Sequence, residues 1–376
     1  MNTFELKTKV IFGQEALLYL QTLGQKKIFI VTDPFMIKSG MIDSITKYLK
    51  EGSYKVFSDI VPDPPMELVV RGISEVTAFQ PDAVAAVGGG SAIDAAKAIM
   101  HFSKEIGKLN KMQFIAIPTT SGTGSEVTSF AVITDIGKGI KYPLVSDALI
   151  PDIAILEPDL VKSVPAAIVA DTGMDVLTHA LEAYVSTKAT DFSDAFAEKA
   201  ISLLFQFLLR SYESSEDMEA KERMHNASCL AGISFNLASL GLNHAIAHNI
   251  GGKLHIPHGR INAILVPHII EFNSNITGFT PKDYSDAAVK YAKIAKLIGV
   301  SGSTVRLSVK NLIGEISRLM QRMKMPTKLK ECDISTEVIL KEKKAIAEGT
   351  LNDACILTNP RAASISDISE IIHKIS

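Results

Sequence analysis

The spacing of hydrophobic positions changes near residue 165. Before it, short apolar runs alternate with helical patterns: Lys27-Ile-Phe-Ile-Val-Thr-Asp33, Ala83-Val-Ala-Ala-Val-Gly88, Phe114-Ile-Ala-Ile-Pro118 and Ile153-Ala-Ile-Leu156. Runs without polar alternation predict strands buried on both faces, and so a parallel sheet with helical crossovers. After Pro165, which is well placed as an early helix residue, helical periodicity dominates around 191–212, 219–251 and 284–323 with almost no strand signal. The polar stretch Glu213-Ser-Ser-Glu-Asp217 reads as a solvated connection between helices. The expected organisation is an α/β unit over 1–164 and an all-α unit over 165–376.

Two glycine-rich loops interrupt the first unit. Gly88-Gly-Gly-Ser91 follows a predicted strand and leads into the helical pattern Ala92-Ile-Asp-Ala-Ala-Lys97. Its amides and the helix N-terminus make an anion pocket suited to a pyrophosphate. Pro118-Thr-Thr-Ser-Gly-Thr-Gly-Ser-Glu126 also follows a strand and adds hydroxyl donors. One such loop is as readily a tight strand-to-helix turn, whereas two favour a ligand crevice. No G-x-G-x-x-G follows the first strand, and the Walker lysine pattern is absent. Asp33 ends the first clear strand. It suits a ribose hydroxyl, favouring NAD over NADP, and equally suits an N-cap before Pro34.

Five of the nine histidines fall between 244 and 268. His244 and His248 share a helical face, Gly251-Gly252 is expected to end that helix, and Ile256-Pro-His-Gly259 reads as a rigid turn presenting an imidazole. Upstream, Asp175 and His179 stand four apart on one helix face. Alone, that pair is more often a surface or capping pair; with the histidine cluster it points to a metal site of N and O ligands, suited to Fe(II) or Zn(II).

Composition narrows the field. The chain has 376 residues, is 47% hydrophobic and 21% charged, and carries net charge −2. That excludes no enzyme class but gives no reason to expect nucleic acid or a membrane surface as a partner. The N-terminal segment carries charge at once and lacks an apolar signal core, and no apolar run reaches spanning length. Three cysteines, Cys229, Cys332 and Cys355, are widely spaced and odd in number, which fits a reducing cytoplasm.

Gly88–Lys97, Pro118–Glu126, Gly173-Met-Asp-Val-Leu-Thr-His-Ala-Leu-Glu-Ala-Tyr184, the stretch Asn243–Gly259 and Leu357-Thr-Asn-Pro-Arg361 together resemble the iron-containing, or group III, alcohol dehydrogenases. Within that family the resemblance is to the propanol and ethanol dehydrogenases of propanediol and ethanolamine breakdown, 1,3-propanediol dehydrogenase and lactaldehyde reductase. It implies the dehydroquinate synthase-like fold, with an α/β dinucleotide-binding domain over 1–164 and an all-α metal-binding and catalytic domain over 165–376. It further implies that Asp175, His179, His244 and His258 bind the metal, that His248 lies beside it, and that Phe235 lines the substrate pocket. Asp33, Gly89, Gly90, Ser91, Thr119, Thr120, Thr128 and Lys141 are then expected against NAD(H). His255 and His268 match no family ligand. Phe35-Met-Ile-Lys38 departs from the glycine-containing turn common in the family.

The chemistry expected is interconversion of small primary alcohols and aldehydes, with Fe(II), or alternatively Zn(II), as Lewis acid and His248 relaying a proton to solvent. Leu240, Leu242 and Ile246 are expected to keep the pocket neutral, with no arginine clamp for an anion. Lactaldehyde reductase and a hydroxy-acid dehydrogenase such as 4-hydroxybutyrate dehydrogenase are the alternatives within the class. A lyase of the dehydroquinate synthase type is the alternative outside it, and needs more cationic side chains than these motifs contain. The resemblance implies a homodimer or larger homo-oligomer. Entry into a bacterial microcompartment is open, with no clear appended helix before Phe4.

Overall fold

The structure is a computed structural model that describes residues 3–107, 111–135, 137, 140–278 and 280–376. Its contacts divide the chain into two compact units, Met1–Val164 and Pro165–Ser376.

The first unit is built on a six-stranded parallel sheet of β1 (Lys9–Phe12), β2 (Ile28–Val31), β3 (Tyr54–Phe57), β4 (Ala83–Gly88), β5 (Gln113–Pro118) and β8 (Ile153–Leu156), in the order β1-β8-β5-β4-β2-β3. A separate antiparallel hairpin joins β6 (Phe130–Asp135) to β7 (Ile140–Val145). The central strands bury every residue of β2, β4 and β8, which is why they stand out as unbroken apolar runs. The edge strands β1 and β3 carry Lys9 and Lys55 and are only partly buried, so they lack that signature; the sequence reading missed both, together with the hairpin. Among the described residues the unit also holds the α-helices α1 (Pro34–Lys38), α2 (Asp43–Thr46), α3 (Met66–Phe79) and α4 (Gly90–Gly107). Apolar cores cover both faces of the sheet, one around Phe29, Ile93, Ile99 and Phe114 and the other around Ile28, Ile30, Ile117 and Ile155. Strand order reverses between β2 and β4, and ligand crevices of open parallel sheets form beside such a switch, outside the carboxyl ends of the strands.

The second unit is helical: α5 (Ala166–Val185), α6 (Asp191–Glu213), α7 (Met218–Ala238), α8 (Leu242–Leu254), α9 (His258–Ser274), α10 (Asp286–Leu297), α11 (Val305–Arg322), α12 (Thr336–Leu351) and α13 (Ile365–Ile375). Pro165 stands just before the first turn of α5, with extended backbone, rather than within the helix. The helix expected over 219–251 is two helices bent by 106°. Ser239 at φ 66° and Gly241 in extended backbone break it, a change of direction that helical periodicity on both sides of the break conceals. α8 runs past Gly251-Gly252 and ends at Leu254. His258, expected in a turn, opens α9 behind Pro257, whose fixed φ suits a helix entry. Leu242, Ile246 and Ile250 on α8 pack with Ile261, Ile264 and Ile372 in a buried core. Leu242 and Ile246 are therefore core residues rather than pocket lining, because they lie on the α8 face opposite its histidines. No single helix among the described residues is long and apolar enough to cross a membrane.

Candidate metal centre and nucleotide loops

Three helices bring four side chains together. Asp175 and His179 project from α5, His244 from the start of α8, and His258 from the first turn of α9. The Nε2 atoms of His244 and His258 each lie 3.6 Å from Asp175 Oδ1, and that of His179 lies 3.9 Å away. These separations exceed hydrogen-bond length. They approach the edge of a tetrahedral site, about 3.4 Å for bonds of roughly 2.1 Å. Single ligand atoms of Asp175, His244 and His258 all fall within 4.8 Å of one another, and His179 joins from the α5 side, its ring stacked 4.6 Å from that of His244. The Asn262 amide nitrogen reaches into the middle of the group, 2.7 Å from Asp175 Oδ1, 3.2 Å from His244 Nε2 and 3.1 Å from His258 Nε2. A carboxylate and imidazole lone pairs thus face one point, a donor set that fits Fe(II) or Zn(II).

The surroundings fix this arrangement. Glu182, one further turn along the Asp175–His179 face of α5, accepts from His244 Nδ1 at 2.5 Å and from Asn243 N at 2.6 Å. With its proton at Nδ1, His244 turns its Nε2 lone pair toward the Asn262 amide and the rest of the group, the usual outer-shell arrangement of a ligating histidine. Gly259 allows the close approach of α9 to α5: a Cβ there would stand 2.1 Å from the Asp171 carbonyl oxygen. Burial opposes charge on Asp175, but the imidazoles of His179, His258 and His244 outweigh it and hold the carboxyl well below the usual range. Burial likewise opposes a cationic His244, yet Glu182 and Asp175 push its pKa up to about 9, so a metal bound at Nε2 would displace a proton there. Withdrawal from water pushes His258 down, and the neighbouring imidazoles add to the effect, although 41% of its side chain is open to solvent.

The other residues singled out in this unit separate into two groups. Phe235 is buried and stacks on His179 with centroids 4.5 Å apart. His248 stacks on His258 at 5.4 Å and sets Nδ1 2.9 Å from Asp353 Oδ2. His255 ends α8 in the left-handed conformation and is exposed, and His268 sits partly buried in α9; neither joins the centre. Leu240 contributes its carbonyl to Thr358 Oγ1 at 2.5 Å. Glu182, Asn262 and Asp353 were not foreseen. Glu182 and Asn262 each had a signal, standing at i+3 from His179 and i+4 from His258. Asp353 had none, being 105 residues from its partner.

In the α/β unit the two glycine-rich loops lie side by side, because β4 and β5 pair with Gly88 opposite Pro118. Thr119 N donates to Gly88 O at 3.0 Å, and a Cβ at Gly89 would stand 3.5 Å from Thr120 Oγ1. Gly90 and Ser91 open the long helix α4, whose first amides have no intrahelical acceptor. Gly88 holds a positive φ of 150°, and a Cβ there would stand 2.7 Å from Ala92 Cβ and 3.3 Å from Asp33 Oδ2. Asp33 uses its other oxygen to cap α1, accepting from Phe35 N at 2.8 Å and Met36 N at 3.2 Å. Thr128 is buried, and its hydroxyl lies 3.1 Å from Lys97 Nζ. Lys141 lies on β7, and its side chain is outside the described residues.

The comparisons with known proteins cover both units. Residues 7–158 match "Iron-containing alcohol dehydrogenase" and residues 169–376 match "Fe-containing alcohol dehydrogenase family, C-terminal". The 1-propanol dehydrogenase PduQ of Salmonella typhimurium is 46% identical over 100% of both chains. The NADPH-dependent butanol dehydrogenase of Clostridium saccharobutylicum is 39% identical, covering 99% of this chain and 97% of that one. A solved 1,3-propanediol oxidoreductase superposes with a TM-score of 0.90 at 32% identity over 100% of both chains. With one match spanning the glycine-rich loops and the other spanning the histidine centre, the chain belongs to the iron-containing alcohol dehydrogenase family.

Proposed function

We propose that this alcohol dehydrogenase interconverts small, uncharged primary alcohols and aldehydes with NAD(H), using Fe(II), or Zn(II) in its place, held by Asp175, His179, His244 and His258. The observation that carries the reading is the convergence of three imidazole Nε2 atoms within 3.9 Å of one Asp175 oxygen. When bound, the ion supplies Lewis acidity toward an alcohol or carbonyl oxygen, and the nicotinamide supplies the site that accepts or returns hydride.

The chain's own residues do the rest. Glu182 holds the His244 proton at Nδ1, and Asp175 stays anionic among the imidazoles. Asp353 holds His248 with its proton at Nδ1, so Nε2 is free to take the hydroxyl proton of an alcohol and pass it to solvent, to which 41% of the side chain is open. Phe235 covers one face of His179 and keeps water from it. In the α/β unit the amides of Gly89, Gly90 and Ser91 and the hydroxyls of Thr119 and Thr120 receive the dinucleotide phosphates, with Thr128 and Lys141 as further contacts. Asp33 Oδ2, beside Gly88, accepts from a ribose hydroxyl. NAD selection rests on this carboxylate, which repels a 2′-phosphate.

A neutral substrate is supported by the pairing of the cation that follows His258 on α9. Arg260, two residues after His258, is engaged by Asp171 through two hydrogen bonds of 2.9 and 3.2 Å, so its guanidinium is not free to clamp an anion. Reduced-nicotinamide absorbance, followed under anaerobic conditions with Fe(II), compares 1-propanol with 4-hydroxybutyrate. The expected ranking in kcat/KM favours 1-propanol, with a gain of roughly fourfold per added methylene, the equivalent of about 0.8 kcal/mol. A ranking led by 4-hydroxybutyrate overturns the neutral-substrate reading.

A further inference from the structure

Beyond the four residues of the metal centre, the helical unit contains a second convergence of ligand atoms. His248, Asp353 and Cys355 each offer one atom, and the three lie within 4.8 Å of one another. His248 projects from α8, and the segment carrying Asp353 and Cys355 is anchored at the α7–α8 bend, where Thr358 Oγ1 donates to the Leu240 carbonyl. The Asp353 carboxylate is already aimed: Oδ1 accepts from Cys355 N at 2.8 Å, which directs Oδ2 to His248 Nδ1 at 2.9 Å. The rings of His248 and His258 stack 5.4 Å apart, so this trio stands one ring layer from the first centre and shares no residue with it. Solvent reaches it, since 41% of the His248 side chain and 17% of that of Asp353 are exposed.

We propose that His248, Asp353 and Cys355 form a second metal site, taking a borderline-soft divalent cation such as Zn(II), and that filling it slows turnover. One imidazole, one carboxylate and one sulfur with a position left for water is a zinc-like donor set. The first centre has no sulfur, so the two differ in softness as well as place. Burial, with the nearby Asp353 carboxylate adding to it, pushes the Cys355 thiol pKa well up. In the metal-free site it is a neutral thiol, and the incoming cation displaces its proton to solvent. At His248 the cation takes the Nδ1 lone pair, and the ring's single proton moves to Nε2. That nitrogen then no longer accepts a proton from the alcohol. The inhibitory half of the inference rests on the role proposed above for His248; the binding half does not.

Cobalt(II) separates the two halves. Enzyme loaded anaerobically with one equivalent of Fe(II) is titrated with Co(II), and the near-ultraviolet thiolate-to-cobalt charge-transfer band is recorded. The band is expected to grow over the second equivalent and to be lost in Cys355→Ala and Cys355→Ser, the serine variant guarding against a packing defect. No band, or a band that survives in both variants, overturns the site. In parallel, excess Zn(II) is expected to inhibit the wild type, with the inhibition constant weakened at least about tenfold in Cys355→Ala, since losing a ligand costs no less than the roughly 10- to 100-fold lost with an outer-shell partner. Equal inhibition of both proteins places Zn(II) at the first centre and overturns the regulatory claim. A second-equivalent band without inhibition keeps the site and removes His248 from the proton path.

Discussion

Each unit buries a cluster of charge beside its binding motif, yet the two clusters are built on opposite principles. In the α/β unit, Lys97 lies under the glycine-rich loops and donates to the carbonyls of Thr128 and Phe130 at 2.8 and 2.7 Å. Asp94 accepts from Ser125 Oγ at 2.7 Å and Val132 N at 3.0 Å, tying the second loop and β6 to α4. These bonds are made within the protein, and the cluster needs no ligand. In the helical unit, imidazoles and a carboxylate converge on one place, where the Asn262 amide is shared among Asp175, His244 and His258. A buried polar cluster is scaffold when its donors and acceptors balance. It is a cation site when acceptors converge in excess.

The comparison predicts different failures. Replacing His258 with Ala should remove the metal and lower kcat/KM by at least about 10³-fold, roughly 4 kcal/mol of transition-state stabilisation. Elemental analysis beside steady-state rates checks it, and full metal content in the variant would break the ligand assignment. Lys97→Met should instead act on stability, by about 3–5 kcal/mol, because the Thr128 and Phe130 carbonyls lose a buried donor and the Asp94 carboxylate loses the nearby positive charge. Denaturant titration measures the loss, while metal bound per folded molecule should stay near the wild-type value.

A smaller effect sharpens the scaffold side. Burial pushes the Glu126 pKa up to about 7 from an ordinary 4.5, against a weaker pull from its own backbone and from Lys97. A carboxyl whose folded pKa is raised contributes stability that is complete below the unfolded value and lost as pH climbs through the folded one. Stability attributable to Glu126 should therefore fall between pH 4.5 and about pH 7 and be level above. Glu126→Gln should melt higher than the wild type at pH 8, by an amount on the order of 2–3 kcal/mol, and show little gain at pH 4.5. Thermal melts at both pH values test the sign. Asp33→Gly should have the least effect on stability, a few tenths of a kcal/mol, since Gly is nearly as good an N-cap as Asp. Its consequence should appear in the ratio of kcat/KM for NAD over NADP, which narrows; an unchanged ratio leaves Asp33 with the cap alone.

The buried strands β2, β4, β5 and β8, both glycine-rich loops and the Asp175–His179 pair were legible because each is local: apolar runs, turn residues and i, i+4 spacing lie within one element. The edge strands were not, because Lys9 and Lys55 interrupt runs that only pairing with a neighbour turns into sheet. The 106° bend after α7 was hidden for a related reason. Ser239 and Gly241 are ordinary residues in sequence, and no local pattern marks the positive φ of the one or the extended backbone of the other.

By itself the sequence determined the fold class, the alternation of strand and helix, and the residue types able to hold a metal and a dinucleotide, all of which follow from periodicity and side-chain chemistry. Tertiary structure alone decided which faces meet. It put Leu242 and Ile246 in the core and His244 and His248 outside it, set Glu182 on His244, and brought Asp353 and Cys355 to His248 across more than a hundred residues. Spacing along one helix fixes a side chain's direction, but a contact between helices depends on how buried faces pack, and no local pattern carries that information.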